Sequence, residues 1–203
     1  MKKHTKVIII LILSISSCNK KMKQNCDIKV DEVNQSAFDE LNIFLKNPVD
    51  ISKLDSSIYQ FNKVLECDTV NFYAFDNITL CYLYKKDYKK ALELNKKAIE
   101  GFELNAFFLK SRGTIYEYID NQDSSKYFFN KALKLNIHKE KNDIHNINIK
   151  VEILFLLNKL NKKQLAIEKL NEYLKEYPDN NVLKSMIDLI QIPPAGPSMS
   201  RHR

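Results

Sequence analysis

Apolar residues along this chain recur at helical spacing and never settle into alternation. Phe75, Ile78, Tyr82 and Tyr84 fall on helical intervals, Lys85, Lys86 and Asp87 interrupt them, and Ala91, Leu94, Ala98 and Ile99 form a second helical run. The pattern then repeats. Tyr82 returns as Tyr116, Tyr84 as Tyr118, Ala91 as Ser125 and Ala98 as Ala132, each 34 residues on. A fixed period of that length marks a repeat architecture. It predicts two copies of helix, short turn, helix, over 72–105 and 106–139.

The flanks carry weaker copies. Phe38, Leu41, Phe44 and Leu45 supply an apolar face, Asn47-Pro48 stops that helix, and Leu54, Ile58, Phe61 and Leu65 form its partner. This gives a degenerate first copy over about 38–71, in which Phe61 aligns with Asn95 and Val64 with Ala98. A fourth copy, 147–180, aligns through Ala166, which lies 41 residues after Ser125, so residues 140–146 are a seven-residue insertion that lengthens an adjoining helix by about two turns. His138, Asp143 and His145 stand at this insertion and read as solvated loop residues. Leu154 and Tyr173 occupy positions that are small elsewhere, which predicts looser packing in the fourth copy. Asn181 to Gln191 reads as a capping helix with Val182, Met186 and Leu189 turned inward.

The spacing within each copy resembles the tetratricopeptide repeat (TPR). In one copy the matching residues are Phe75, Ile78, Tyr82, Ala91 and Ala98; in the next, Leu109, Gly113, Tyr116, Phe129 and Ala132. Arg112 stands where Leu is usual, and Asn95 replaces an aromatic residue. The resemblance implies an all-α fold: a right-handed superhelical α-solenoid of about four helix-turn-helix repeats plus a C-terminal capping helix, occupying residues 36–192. Gly113 in mid-helix costs roughly 1 kcal/mol against Ala, so a close contact between paired helices is expected there.

Composition changes the picture at the two ends. Lys2, Lys3 and Lys6 precede an unbroken apolar run from Val7 to Leu13, too short for the roughly 20 residues that span a bilayer. Ile15-Ser16-Ser17-Cys18 then resembles the bacterial lipobox, which implies a signal peptide over 1–17, cleavage before Cys18 and acylation of that residue. Residues 18–35 read as a tether, and 193–203, rich in Pro and Arg, as a disordered tail. The whole chain carries +7; losing the three lysines of the signal leaves +4, spread over a mixed surface, with Arg only at 112, 201 and 203. That is a poor footprint for nucleic acid. The mature chain keeps Cys26, Cys67 and Cys81 beside Cys18. Cys81 reads as a small core residue, and Cys67 follows a helix end where it can meet Cys26 in an oxidising compartment.

In this family the first helix of each repeat lines a concave groove. Carried over by position, the partner-binding residues are Tyr73, Asp76, Leu80 and Tyr84 from one repeat and Phe107, Lys110, Thr114 and Tyr118 from the next, with Leu83 and Glu117 beside them. The clamp of Lys, Asn and Arg with which some members hold a terminal carboxylate falls on Asn42, Lys46, Asn77, Phe107 and Ser111, of which only Asn77 matches. No phosphate loop, nucleophile triad or metal motif appears, so no catalytic residue, cofactor, metal or small-molecule substrate is expected. The expected function is a non-enzymatic scaffold, lipid-anchored in the cell envelope at the outer membrane facing the periplasm, that binds another protein or peptide through its groove. The alternatives are an envelope assembly factor similar to the lipoproteins that help insert outer-membrane proteins and, from another class, a hydrolase or enzyme subunit.

Overall fold

The computed structural model describes residues 26–102 and 105–191. The signal region, Cys18 and the tail lie outside them. The described residues form α1 (Val30–Lys46), α2 (Ile51–Cys67), α3 (Phe72–Tyr84), α4 (Tyr88–Gly101), α5 (Ala106–Tyr118), α6 (Gln122–Asn142), α7 (Ile147–Lys159), α8 (Lys163–Glu176) and α9 (Asn181–Gln191), with no strand among them. Each helix packs on the next in chain order, and α9 packs on both α7 and α8. The fold is an all-α helical-repeat solenoid. None of the described helices is long and apolar enough to cross a membrane.

Two local devices set the repeat. Asn71, Asn105, Asn146 and Asn180 recur at intervals of 34, 41 and 34 residues. Each side-chain oxygen accepts a backbone N–H from the first turn of the helix that follows: Ala74 at 3.0 Å, Phe107 at 2.9 Å, Ile149 at 3.2 Å and Leu183 at 3.0 Å. Such caps satisfy donors that a helix start otherwise leaves open. Between paired helices, Lys86, Asp120 and Asn161 take positive φ of 59°, 57° and 57°. There the N–H groups of Asp87, Asn121 and Lys162 reach back to the carbonyls of Tyr82, Tyr116 and Leu157, each at 2.9 Å, closing the helix with a left-handed residue. The turn after α1 lacks this residue and uses Pro48 instead.

The first pair departs from the sequence reading. Helix α1 begins at Val30, inside the stretch 18–35 read as tether. It ends at Lys46, 38 residues before the end of α3 rather than 34. Its buried face is Ala37, Leu41 and Phe44, while Phe38 and Leu45 are exposed. Residues 37, 41 and 44 share one stripe of a 3.6-residue helix. Ala37 is small enough for Ser57 to donate to its carbonyl at 2.9 Å, which fixes that stripe against α2. The correction also moves the clamp positions: with an interval of 38, Phe38 and Asn42 stand where the 34-residue register placed Asn42 and Lys46. Cys26 and Cys67 form a disulfide, with Cα atoms 5.6 Å apart. Cys81 is free and fully buried beside Ser57, and burial pushes its thiol up to about 11.

The fourth pair corrects a second expectation. Ile153, Leu154, Leu156, Leu157, Ala166, Leu170 and Tyr173 are all buried, in the largest apolar cluster among the described residues. Large residues pack well here because both partners changed: Leu154 and Leu170 share this cluster, whereas Gly113 faces Phe129. The seven extra residues lengthen α6 to 21 residues, against 14 in α4 and α8. Glu140 on that extension meets the buried Lys150 ammonium at 3.4 Å, Glu176 approaches it at 3.7 Å, and the Tyr173 ring lies 4.4 Å below. His145 at the insertion bonds the Tyr177 hydroxyl through Nδ1 at 2.8 Å. In the capping helix the inward residues are Leu183, Met186 and Ile190. Met186 agrees with the sequence reading, but Val182 and Leu189 are exposed, because the 183/186/190 stripe carries the contact with both α7 and α8.

Candidate functional site

The first helices of successive pairs lie side by side, α3 touching α1 and α5. Ion pairs join α5 to α7: Lys110 to Glu152 at 2.7 Å and Lys159 to Glu117 at 2.8 Å. Lys110 also lies over the rings of Phe107 and Phe155, at 5.0 and 5.4 Å. Asp76 faces the same cation from α3. Burial pushes its carboxyl up to about 6, against the pull of Lys110. The shared face is therefore crossed by a row of charges, Asp76, Lys110 and Glu152, contributed by three helices and largely satisfied within the protein.

Each residue expected in the groove now has a place. Tyr73 is 70% exposed, and Tyr84 is 40% exposed with its ring edge-on to Phe44 at 5.4 Å. Burial, and then Tyr118, raise the Tyr84 hydroxyl above its ordinary range. Tyr118 is half-buried and stacks on Tyr88 at 6.4 Å. Phe107 packs on Phe72 at 5.0 Å. Leu80 packs into the cluster of Leu41, Phe44, Leu54 and Ile58, and Leu83 is buried against Ala91 and Ile115. Thr114 donates its hydroxyl to the Lys110 carbonyl of its own helix at 3.3 Å. Tyr73, Tyr84, Asp76 and Lys110 thus present chemistry to the face, whereas Leu80 and Leu83 belong to the core. Glu152, Phe155 and Lys159 were missed. Phe155 and Lys159 lie 41 residues after Thr114 and Tyr118, so carrying the groove register across the insertion locates them.

The face is recessed at its N-terminal end. A cavity of about 420 Å³ opens there between α1 and α3, lined by Asp31, Asn34, Gln35, Phe38, Phe61, Tyr73 and Asn77. Fully buried Phe61 forms part of its lining, and exposed Phe38 and Tyr73 stand at its edges. Among the described residues no group of acidic, His or Cys side chains is arranged to hold a metal ion.

No protein-family model matches the chain, and no curated protein matches it. Solved structures do resemble it. A tetratricopeptide repeat protein from Parabacteroides merdae is 14% identical, with 79% of this chain and 72% of that one covered and a TM-score of 0.47. YrrB, described as a TPR protein with an unusual peptide-binding site, is 15% identical, with coverage of 80% and 91% and a TM-score of 0.40. The chain is similar to both in its helical-repeat fold.

Proposed function

We propose that this chain is a TPR-like, non-enzymatic scaffold, lipid-anchored in the cell envelope through Cys18, that holds a segment of another protein against the shared face of α1, α3, α5 and α7. The observation that carries the reading is the state of that face. Lys110 and Lys159 are paired with Glu152 and Glu117 within the protein, while Phe38, Tyr73 and Tyr84 stay exposed along it. Exposed rings contribute large contact area at small entropic cost and are enriched where binding energy concentrates. The Cys26–Cys67 disulfide supports export, since such bonds persist in oxidising compartments, and it agrees with the basic start, apolar run and lipobox before Cys18. An outer-membrane location facing the periplasm is part of the proposal, with envelope assembly as the narrower role within it.

Two measurements on the full chain in intact cells test it. Cys18→Ala should shift the protein from the membrane to the soluble fraction; retention would count against the anchor. A photo-crosslinking residue at Tyr73 or Tyr84 should give a discrete adduct, and the same residue at exposed Lys97 on α4 should not. Equal labelling at all three positions would sink the groove.

A further inference from the structure

The cavity between α1 and α3 is chemically one-sided. Three of its lining residues are amides, and all three have their N–H₂ groups engaged within the protein. Asn34 Nδ2 points to Asn71 Oδ1 at 3.5 Å. That Asn71 atom also accepts the Ala74 N–H, so it is the oxygen, and the Asn34 atom facing it must be the donor. Gln35 Nε2 donates to the Asp39 carboxylate at 2.9 Å, and Asn77 Nδ2 to the Tyr73 carbonyl at 2.9 Å. Each amide is thereby oriented by a partner that can only accept. The three side-chain oxygens are left over. Asn34 Oδ1 is buried with no partner among the described residues, an arrangement that costs about 1–3 kcal/mol and keeps it out of reach of the cavity. The remaining polar lining group is the Asp31 carboxylate, another acceptor, and among the described residues no Lys, Arg or His lines the cavity.

We propose that this cavity seats a lysine or arginine side chain from an extended segment of the partner. The proposal rests on the scaffold reading above and names the chemistry that the N-terminal end of the face selects. A cation supplies donors to the unbonded side-chain oxygens of Gln35 and Asn77 and the opposite charge to Asp31. Its aliphatic stem and its charged head meet the exposed rings of Phe38 and Tyr73, which attract cations. An acidic side chain meets only acceptors, and a purely apolar one leaves Asp31 without a counter-charge. The volume of about 420 Å³ suits a side chain with its flanking backbone.

The test uses the full chain in detergent with its disulfide intact, and a labelled, end-blocked Gly/Ser peptide carrying lysines, read by fluorescence polarisation. Counterparts carry glutamate or norleucine at the same positions. The lysine peptide should bind at least about tenfold tighter than either counterpart, with affinity falling as salt rises. Asp31→Asn and Tyr73→Ala should each weaken it by about fivefold or more, and Tyr73→Phe should retain it. Circular dichroism melts within a few degrees of the parent separate lost binding from lost fold. Binding of the glutamate peptide at equal strength, or indifference to all these variants, overturns the seat. Binding that appears only after Lys20, Lys21 and Lys23 are changed to Gln assigns the cavity to the chain's own basic segment and overturns the external partner. Adducts at Tyr73 or Tyr84 in cells, with no lysine-peptide binding, remove this seat and leave the scaffold standing.

Discussion

The first and second helix pairs meet through Phe61 and Ile78; 34 residues on, the second and third pairs carry Asn95 and Arg112 at the same positions. Phe61 and Ile78 are fully buried in one apolar cluster with Ala37, Val64 and Ala74. Asn95 is also fully buried, but it spends its N–H₂ on the Phe108 carbonyl at 3.0 Å and leaves its oxygen without a partner. Arg112, one turn beyond Phe108, has a buried Nε that bonds nothing, and its guanidinium lies over Phe128 at 5.2 Å and Tyr116 at 5.8 Å. Apolar contact at this junction is divided between Phe75, Ala98 and Phe108 on one side and Leu83, Ala91 and Ile115 on the other. The two junctions share helix order and caps but not chemistry. Geometry alone holds the repeat, and the second junction is the softer one.

The comparison breaks most sharply at Phe61. Phe61→Ala empties a fully buried site and should cost about 3–5 kcal/mol in urea unfolding. Asn95→Ala, at the equivalent position, should cost about 1 kcal/mol, the loss of one hydrogen bond offset by removal of the orphan oxygen. Equal costs would mean that the two junctions carry equal load. Next in size is a gain: Asn95→Leu with Arg112→Leu removes both orphan atoms and should raise stability by about 1–3 kcal/mol. A loss in the double variant would show that the polar pair is better satisfied than its geometry indicates.

Gly113→Ala probes the third pair from inside. A Cβ there would stand 2.6 Å from the Phe129 ring. Overpacking costs about 1–3 kcal/mol, and better helix propensity returns up to about 1 kcal/mol, so a net loss near 1 kcal/mol is expected. Gly101, with nothing within 4 Å of its would-be Cβ, should gain from the same change. Thermal melts of the two variants should move in opposite directions.

The last effect is a pH dependence at Asp76, where α3 meets α5, and it appears only above the acid range. Its folded carboxyl is raised from 3.8 to about 6, so the folded state holds the proton more tightly than the unfolded chain. Its contribution to stability is complete below about pH 4 and is lost as pH rises through about 6. Asp76→Asn should therefore stabilise the chain by about 1–2 kcal/mol at pH 8 and change little at pH 4. A constant difference across that range would count against a buried, raised carboxyl.

Much of this was legible in the sequence because a repeat states its rule more than once. Tyr82 with Tyr116, and Phe61 with Asn95, placed the helix pairs, and the 41-residue step to Ala166 located the lengthened α6. The capping asparagines at 71, 105, 146 and 180 keep the same beat and were the unused signal. The first pair misled because its spacing of 38 has no second copy to reveal it, so Phe38 read as core when it stands at the mouth of a cavity. Looseness in the fourth pair was inferred from Leu154 alone; that Leu170 answers it is a property of the pair, invisible position by position. Which groove residues are free could not be read at all, since Thr114 and Leu80 share the register of Tyr73 but their side chains are already committed.

The disulfide also decides where force enters the molecule. Cys26 is fastened to the last residue of α2, not only to the start of α1 through the chain. A pull on residues before Cys26 is therefore delivered at once to the junction of α2 and α3, by way of Cys67. Helix α1 lies within a closed loop, off the load path, and cannot be peeled from its end while the crosslink holds. Reduction opens that loop and makes α1 the first element to bear the strain. If Cys18 carries the proposed lipid, the eight residue steps to Cys26 span at most about 28 Å, which would hold the crosslink within that distance of the point of attachment.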